Sequence, residues 1–300
     1  ARRTRQPPLP RDNPGMTSIA VLITTYNAAA TIRTALLSLV GQSLKPHRVI
    51  VVDDGSTDQT IEAVREFRSD LPLELLSKGR VGRAVALNIG MSAADTDLVS
   101  ILDADDAAVP DRLLAQREAF DEEPRLGVHG GAFYQLTLED DLKVRVRRMP
   151  EDDFAIRRAL AFSGPFCHSC VTYRRHAVLE AGGFRPGLKS RIDQDLWVRI
   201  ASIGYVLRNA REPLACHVKD DSTYFAQVNG TVTRTATMLS RNLAAVRTLQ
   251  LPRSCYALAI ARTAVSLLPQ RVLRRAAPAM DEVAWPDFER SVGHAVAAGL

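Results

Sequence analysis

Four short apolar runs, rich in β-branched residues, recur in the first hundred positions, and each gives way to a polar break. Ser18 to Ile23 reads SIAVLI, Val49 to Val52 reads VIVV, Leu73 to Leu76 reads LELL and Leu98 to Leu102 reads LVSIL. The near-continuous runs predict strands covered on both faces, as in a parallel sheet. Between them, Ala28 to Val40, Gln59 to Arg68 and Ala84 to Ala94 place apolar residues at helical spacing. Thr57 or Asp58 is suited to cap the second helix. Strand–helix alternation of this kind predicts a parallel sheet with right-handed crossovers. A dinucleotide-binding version would carry G-x-G-x-x-G after its first strand. Here that turn is Thr24-Thr25-Tyr26-Asn27, with no glycine, which argues against NAD.

Ligands of open α/β sheets bind beyond the carboxyl ends of the strands, and the polar breaks put chemistry there. Asp53 and Asp54 follow the second strand. Two readings are open: acceptors for a base NH or ribose hydroxyls, or a polar turn before a helix. Lys78-Gly79-Arg80-Val81-Gly82-Arg83 is a basic loop entering a helix. It suits an anionic ligand, and it also suits plain solvation. Asp103, Asp105 and Asp106 crowd three carboxylates into four residues, which repel unless something positive neutralises them. A divalent cation, Mg²⁺ or Mn²⁺, fits that role. Capping a helix at 111–120 would use only one of the three.

In order along the chain, TTYN, VDDGSTD, the ALNIG run at 86–90 and LDADD at 102–106 resemble an inverting family 2 glycosyltransferase of the GT-A fold. Val171 to Arg175 with Gly182-Gly183-Phe184 resembles that family's acceptor-side strand and GGF turn. Asp193-Gln194-Asp195-Leu196-Trp197-Val198-Arg199 resembles its ED-x-D-LW-x-R helix, and His217 with Asp221-Ser222 its closing H-D-x-S segment. The resemblance covers about residues 17–225. It implies an α/β, GT-A-like, mostly parallel sheet flanked by helices. It assigns Thr24, Tyr26, Asp53 and Asp54 to the nucleotide, and Arg83 of the basic loop is placed with them. Asp103 and Asp105 would be the DxD pair, with Asp103 near both ribose and metal. His217 is placed at the metal or pyrophosphate. Ile192 stands where the family often has Glu, so Asp193 and Asp195 both remain candidates for the base, Asp193 preferred. The reaction expected is metal-dependent (Mn²⁺ or Mg²⁺), inverting transfer from a nucleotide-diphosphate sugar, UDP-linked, to a hydroxyl on a saccharide, lipid carrier or small metabolite. The rival readings are a non-catalytic nucleotide-sugar-binding module and a sugar nucleotidylyltransferase. The second would need a glycine-rich basic signature near its first strand.

Charge changes the picture only late in the chain. From residue 222 to 280 there is no acidic residue but eight Arg, at 234, 241, 247, 253, 262, 271, 274 and 275. Without those eight of its 39 basic residues the chain would set 31 against 34 acidic ones. Residues 226–275 read as helices, with Leu258, Ala261, Val265, Leu268 and Val272 forming an apolar stripe. Either they pack on the catalytic domain or a partner, or they lie on an anionic bilayer as a peripheral helix. Nucleic acid is not expected, for no recognition motif accompanies the basic charge. Four cysteines in 300 residues suggest a reducing compartment, so a cytoplasmic protein is expected, at most peripheral at the inner membrane face. Cys167 and Cys170 fall in a stretch that reads as strand, where buried thiols are common. The expected organisation is a disordered arm over 1–15, a catalytic domain over 16–225 and a basic helical extension over 226–300.

Overall fold

Strands β1 (Ile19–Thr25), β2 (Arg48–Asp53), β3 (Leu73–Ser77) and β4 (Leu98–Ile101) run parallel in the order β4-β1-β2-β3. The structure, a computed structural model, describes residues 17–138, 142–188, 190–219, 231–265 and 281–300. The expected N-terminal arm, the Asp221-Ser222 motif and Arg271, Arg274 and Arg275 lie outside these. Helices α1 (Ile32–Val40), α2 (Thr60–Arg65) and α3 (Arg83–Ala93) make the crossovers. The second crossover is shorter than its pattern predicts, because residues 66–69 tighten into a 3₁₀ turn. Asp58, one of its two predicted caps, accepts the Thr60 amide at 3.0 Å and the Ala29 amide at 3.1 Å, tying neighbouring loops together.

The unalternating apolar runs have a direct cause. In β1, Ile19, Val21 and Ile23 pack with Ile32, Leu36 and Leu39 of α1 on one face, while Ala20 and Leu22 pack with Leu87 and Met91 of α3 on the other. Both faces are core, so period-two polarity is lost. A Cβ on Gly90 would collide with the Leu22 side chain, which explains a glycine inside α3.

The second half extends the sheet antiparallel. A two-residue strand β5 (Ala107–Ala108) and helix α4 (Arg112–Glu122) lead to the long β6 (Leu126–Leu138) and to β7 (Leu142–Arg147). Helix α5 (Asp153–Ala159), a 3₁₀ turn at His168–Cys170, β8 (Thr172–Arg174) and α6 (Arg175–Glu180) follow. The Cys167–Cys170 stretch is thus a 3₁₀ turn entering a strand, not the strand itself. Burial raises the thiols of Cys167, Cys170 and Cys216 above their ordinary range. Helix α7 (Ile192–Ser202) and β9 (Val206–Lys219) complete this half, with β9 parallel to β6 and antiparallel to β5.

Helices α8 (Thr231–Thr248) and α9 (Ser254–Val265) form the helical C-terminal region. Residues 281–300 then return to the sheet, which the sequence pattern did not foretell. Strand β10 (Asp281–Val283) pairs with β7 at the edge, and helices α10 (Trp285–Val292) and α11 (His294–Ala297) bury Phe288, Val292 and Val296 beneath it.

Candidate active site

The parallel strands bring the predicted donor residues to one edge. Thr25 stands in register with Asp53 on the neighbouring strand. Asn27, held at φ 50°, accepts the Thr57 amide at 2.8 Å and donates its own amide to Ser56 Oγ at 2.9 Å. These bonds stitch the first two strand-end loops together. Buried Asp53 accepts from the Gly55 and Ser56 amides and from Ser77 Oγ at 3.3 Å. Asp54 accepts the Val81 amide at 2.6 Å and the Gly82 amide at 2.8 Å, and takes Arg80 Nη1 at 3.1 Å. The basic loop is therefore folded over this edge by Asp54. Arg80 lies 3.5 Å from the centroid of the exposed Tyr26 ring, a cation–π contact that the motifs did not reveal. Thr24 is half-buried, while the hydroxyl of its neighbour Thr25 is buried with no hydrogen-bond partner among the described residues.

The β4 end carries the acidic cluster. Donor oxygens of Asp103, Asp105 and Asp106 lie within 4.8 Å of one another. The three carboxylates have different surroundings. Arg83 Nη2 donates to Asp103 Oδ1 at 2.6 Å and lies 3.1 Å from His168 Nδ1, which is itself 3.8 Å from Asp103 Oδ1. Burial pushes the Asp103 pKa up, but Arg83 and His168 more than offset this and hold it below the usual range. Fully buried Asp106 meets His217 Nδ1 at 3.0 Å and accepts the Val218 amide at 3.2 Å. Burial alone would lower the His217 pKa, yet Asp106 pushes it up to about 9. Asp105 has no ion-pair partner among the described residues, and a backbone hydrogen bond and the charge of His217 offset its neighbours only in part. Desolvation, then repulsion from Asp106 and Asp103, drives its pKa up to about 6. Two carboxylates are neutralised from within, and the third, its carboxyl partly desolvated, is strained by its neighbours. That donor set, hard oxygens with one uncompensated charge, fits a divalent cation.

Behind this edge sits a buried guanidinium that an outward-facing charge pattern would not place there. Arg112 donates to Ile101 O at 2.6 Å, Ser169 O at 2.7 Å and Ser100 Oγ at 2.9 Å. Ser169 Oγ in turn accepts the Asp103 amide at 3.0 Å. The acidic loop and the 168–170 turn are thus fastened to one cation.

A cavity of about 480 Å³ opens beside Asp103 and His217, lined also by Phe133, Gln135, Phe166 and His168. The family-like residues of α7 lie on the same side. Arg191, at φ 53°, turns the chain into α7. Asp193 is half-buried and accepts the Gln194 amide at 2.8 Å. No basic side chain pairs with it among the described residues, yet its charge reaches Arg83, whose pKa is raised by Asp103 first and by Asp193 next. Asp195 has different partners: Arg199 Nη2 at 2.8 Å and Arg185 Nη1 at 3.2 Å. Trp197 is core, donating to Tyr173 Oη at 2.8 Å. Asn88 of the ALNIG run brackets the GGF turn, accepting the Phe184 amide at 2.8 Å and donating to the Phe184 carbonyl at 2.6 Å.

A parallel sheet with polar loops gathered at one edge, an acidic cluster at the end of a central strand and an antiparallel second half is the architecture of a glycosyltransferase of the GT-A fold, and the comparisons with known proteins agree. A family model described as glycosyl transferase family 2 matches residues 20–183, more than half of the chain, and the chain belongs to that family. The amylovoran biosynthesis glycosyltransferase AmsE of Erwinia amylovora is 29% identical over 199 residues, covering 65% of this chain and 74% of AmsE. The putative glycosyltransferase EpsE of Bacillus subtilis is 28% identical over 86% of this chain and 92% of its own. Among solved structures, S. aureus TarS 1–349 in complex with UDP-GlcNAc superposes with a TM-score of 0.64 at 19% identity, over 94% of this chain and 84% of TarS. The mannosyltransferase PcManGT of Pyrobaculum calidifontis, in complex with GDP-Man and Mn²⁺, gives 0.59 at 22% identity, over 95% and 81%.

Proposed function

We propose that this glycosyltransferase moves a sugar from a nucleotide-diphosphate donor, UDP-linked, to an acceptor hydroxyl with inversion, and that it depends on a divalent cation. The observation that carries this reading is the contrast between Asp193, a carboxylate with no basic partner among the described residues, and the acidic cluster whose central member, Asp105, is uncompensated. The TarS complex with UDP-GlcNAc supports a UDP-sugar donor, and the PcManGT complex with Mn²⁺ supports the cation.

In this reading Tyr26, Thr24, Asp53 and Asp54 form the nucleotide pocket, with Arg80 and Arg83 facing the diphosphate. Asp105 and one oxygen of Asp103 would hold Mn²⁺ or Mg²⁺. The bound ion would neutralise charge developing on the departing diphosphate. His217 keeps Nε2 free for the same region, because Nδ1 is committed to Asp106. Asp193 accepts the proton of the acceptor hydroxyl as that oxygen attacks the anomeric carbon from the face opposite the leaving group. Asp195, held by two arginines, keeps α7 and the GGF turn in place.

The test is a thermal-shift series with UDP, GDP, UDP-sugars and GDP-mannose, each with and without Mn²⁺. A ligand that binds the native state raises Tm by mass action. UDP and UDP-sugars with Mn²⁺ are expected to give the largest shifts. No shift with any nucleoside diphosphate would overturn the proposal, and a shift with GDP alone would overturn its donor assignment.

A further inference from the structure

Helix α9 is packed inside out. Its buried residues are Cys255, Ala259 and Thr263, a small-residue stripe at i, i+4, i+8. Cys255 sits against Ala161 and Val246, with Phe162 and Leu251 around it. Its large apolar side chains point the other way: Tyr256 is 38% exposed, Leu258 40%, Ile260 53% and Val265 37%. Ala257, Ala261 and Ala264 are exposed between them. At about 100° per residue, these seven positions cover roughly 200° of the helix surface, an arc that holds no charged residue of α9 and only Ser254 and the Tyr256 hydroxyl as polar groups. The apolar stripe predicted for this segment is present, and Leu258, Ala261 and Val265 of it face outward. Its members Leu268 and Val272 lie outside the described residues. An ordinary surface helix turns its apolar stripe to the core, and a continuous exposed one marks an interaction surface.

We infer that the outer face of α9 docks on an anionic lipid bilayer. Charge selects this occupant. Exposed Arg253 and Arg262 flank the apolar face and exposed Arg247 ends α8, within a stretch, residues 222–280, that has no acidic residue. A two-fold pairing of this face with a second copy would bring these excess cations together. An anionic headgroup layer neutralises them, at about 1 kcal/mol per Lys or Arg near the surface. The face itself is apolar apart from the Tyr256 hydroxyl and the first-turn Ser254, and an amphipathic tyrosine among aliphatic side chains matches the headgroup–acyl boundary. No helix among the described residues is long and apolar enough to span a membrane, so the contact is peripheral. It is also placed usefully. Helix α8 carries Arg241, which donates to the Ser190 carbonyl just before Asp193. Ala161 and Phe162 lead into Gly164 and Phe166 of the cavity wall.

The test is co-sedimentation of the full-length protein with phosphatidylglycerol/phosphatidylcholine vesicles and with pure phosphatidylcholine vesicles at low salt. The expected result is binding to the anionic vesicles only, weakened in molar salt, where screening shortens to about 3 Å. Leu258→Glu with Ile260→Glu should lower partitioning at least tenfold while Tm and the nucleotide-induced thermal shift stay unchanged. Arg253→Gln with Arg262→Gln should lower it by a smaller factor. Equal binding to both vesicle types, or unchanged binding by the double Glu variant, would overturn the inference. So would wild-type dimerisation without lipid that the double Glu variant abolishes, since that would assign the face to a second copy. Because the readout is vesicle binding, it stands or falls separately from the donor chemistry.

Discussion

Asp195 and Arg199 face each other one helical turn apart at 2.8 Å, and Arg199 spends its remaining donors on the Ala181 and Gly183 carbonyls. The pair is therefore a brace between α7 and the glycine turn, and Asp193, two residues earlier, has no such partner among the described residues. The two carboxylates should fail differently. Asp195→Asn is expected to cost about 2 kcal/mol of stability, as one member of a hydrogen-bonded ion pair is lost. Asp193→Asn is expected to leave urea stability within about 0.5 kcal/mol and donor affinity unchanged, while kcat falls about 10²-fold or more. Parallel urea denaturation, UDP titration and transfer kinetics decide it. If Asp195→Asn lost more turnover than Asp193→Asn while remaining as stable, the assignment of the base would be reversed.

If Asp105 holds the proposed cation, it links cation binding to pH. Its pKa of about 6 means that a cation must displace a proton in mildly acid solution, and metal binding to a protonated ligand is weakened accordingly. Mn²⁺ affinity should therefore be flat above about pH 7 and fall about tenfold by pH 5. Asp105→Asn should remove this pH dependence together with most of the affinity. Isothermal titration with Mn²⁺ at pH 5, 6 and 7.5 measures both. An unchanged pH profile in the variant would place the titrating ligand elsewhere.

The Asp106–His217 pair makes the opposite kind of pH prediction. His217 has a folded-state pKa raised to about 9, above its unfolded value of about 6.5. Stability from the charged pair is therefore fully present below about pH 6.5 and is lost as pH rises through about 9. The difference in Tm between wild type and His217→Gln should be largest near pH 6 and shrink toward pH 9. A difference that grew with pH would show that His217 is neutral when folded.

Arg112 should be the most damaging single arginine to remove. Its guanidinium satisfies two carbonyls and a hydroxyl in the interior and has no solvent access to speak of, being 1% exposed. Arg112→Met would leave those acceptors buried and unpaired, at about 1–3 kcal/mol for each group. A loss of about 3 kcal/mol or more by urea denaturation is expected. Because Ser169 holds the Asp103 amide, Mn²⁺ affinity should fall as well. Full Mn²⁺ affinity in a folded Arg112→Met variant would show that the acidic loop holds its shape without this anchor.

Much of the catalytic fold was legible in the chain because its signals are local. An apolar β-branched run specifies a strand covered on both faces wherever it sits, and the polar residues that end it must lie at the strand's carboxyl end. That reasoning reached Asp53, Asp54, Asp103 and Asp105. The partners of these residues were not legible. Asp106 meets His217 across 111 residues, and Arg83 reaches His168 across 85. Nothing in the spacing marks which basic side chain will neutralise which acid, because that depends on where the second half of the sheet folds back. Strand β10 escaped for a related reason: Asp281-Glu282-Val283 has no strand pattern of its own and is a strand only because the β7 edge offers it hydrogen bonds.

The chain by itself determined the order of strands and helices, the glycosyltransferase motifs and the existence of an apolar stripe in its basic C-terminal segment. These follow from side-chain periodicity and backbone preference, which act over a few residues. Only the tertiary structure decided which carboxylates are paired and which is left bare, that Arg112 is buried, and that α9 turns its small residues inward and its large apolar ones out. A helical period states that a face exists, whereas what covers that face depends on the shape of the surface against which the helix packs. Here Ala161, Phe162, Val246 and Leu251 enclose Cys255 while Ala259 and Thr263 are buried along the same stripe, and the larger side chains are left on the outside.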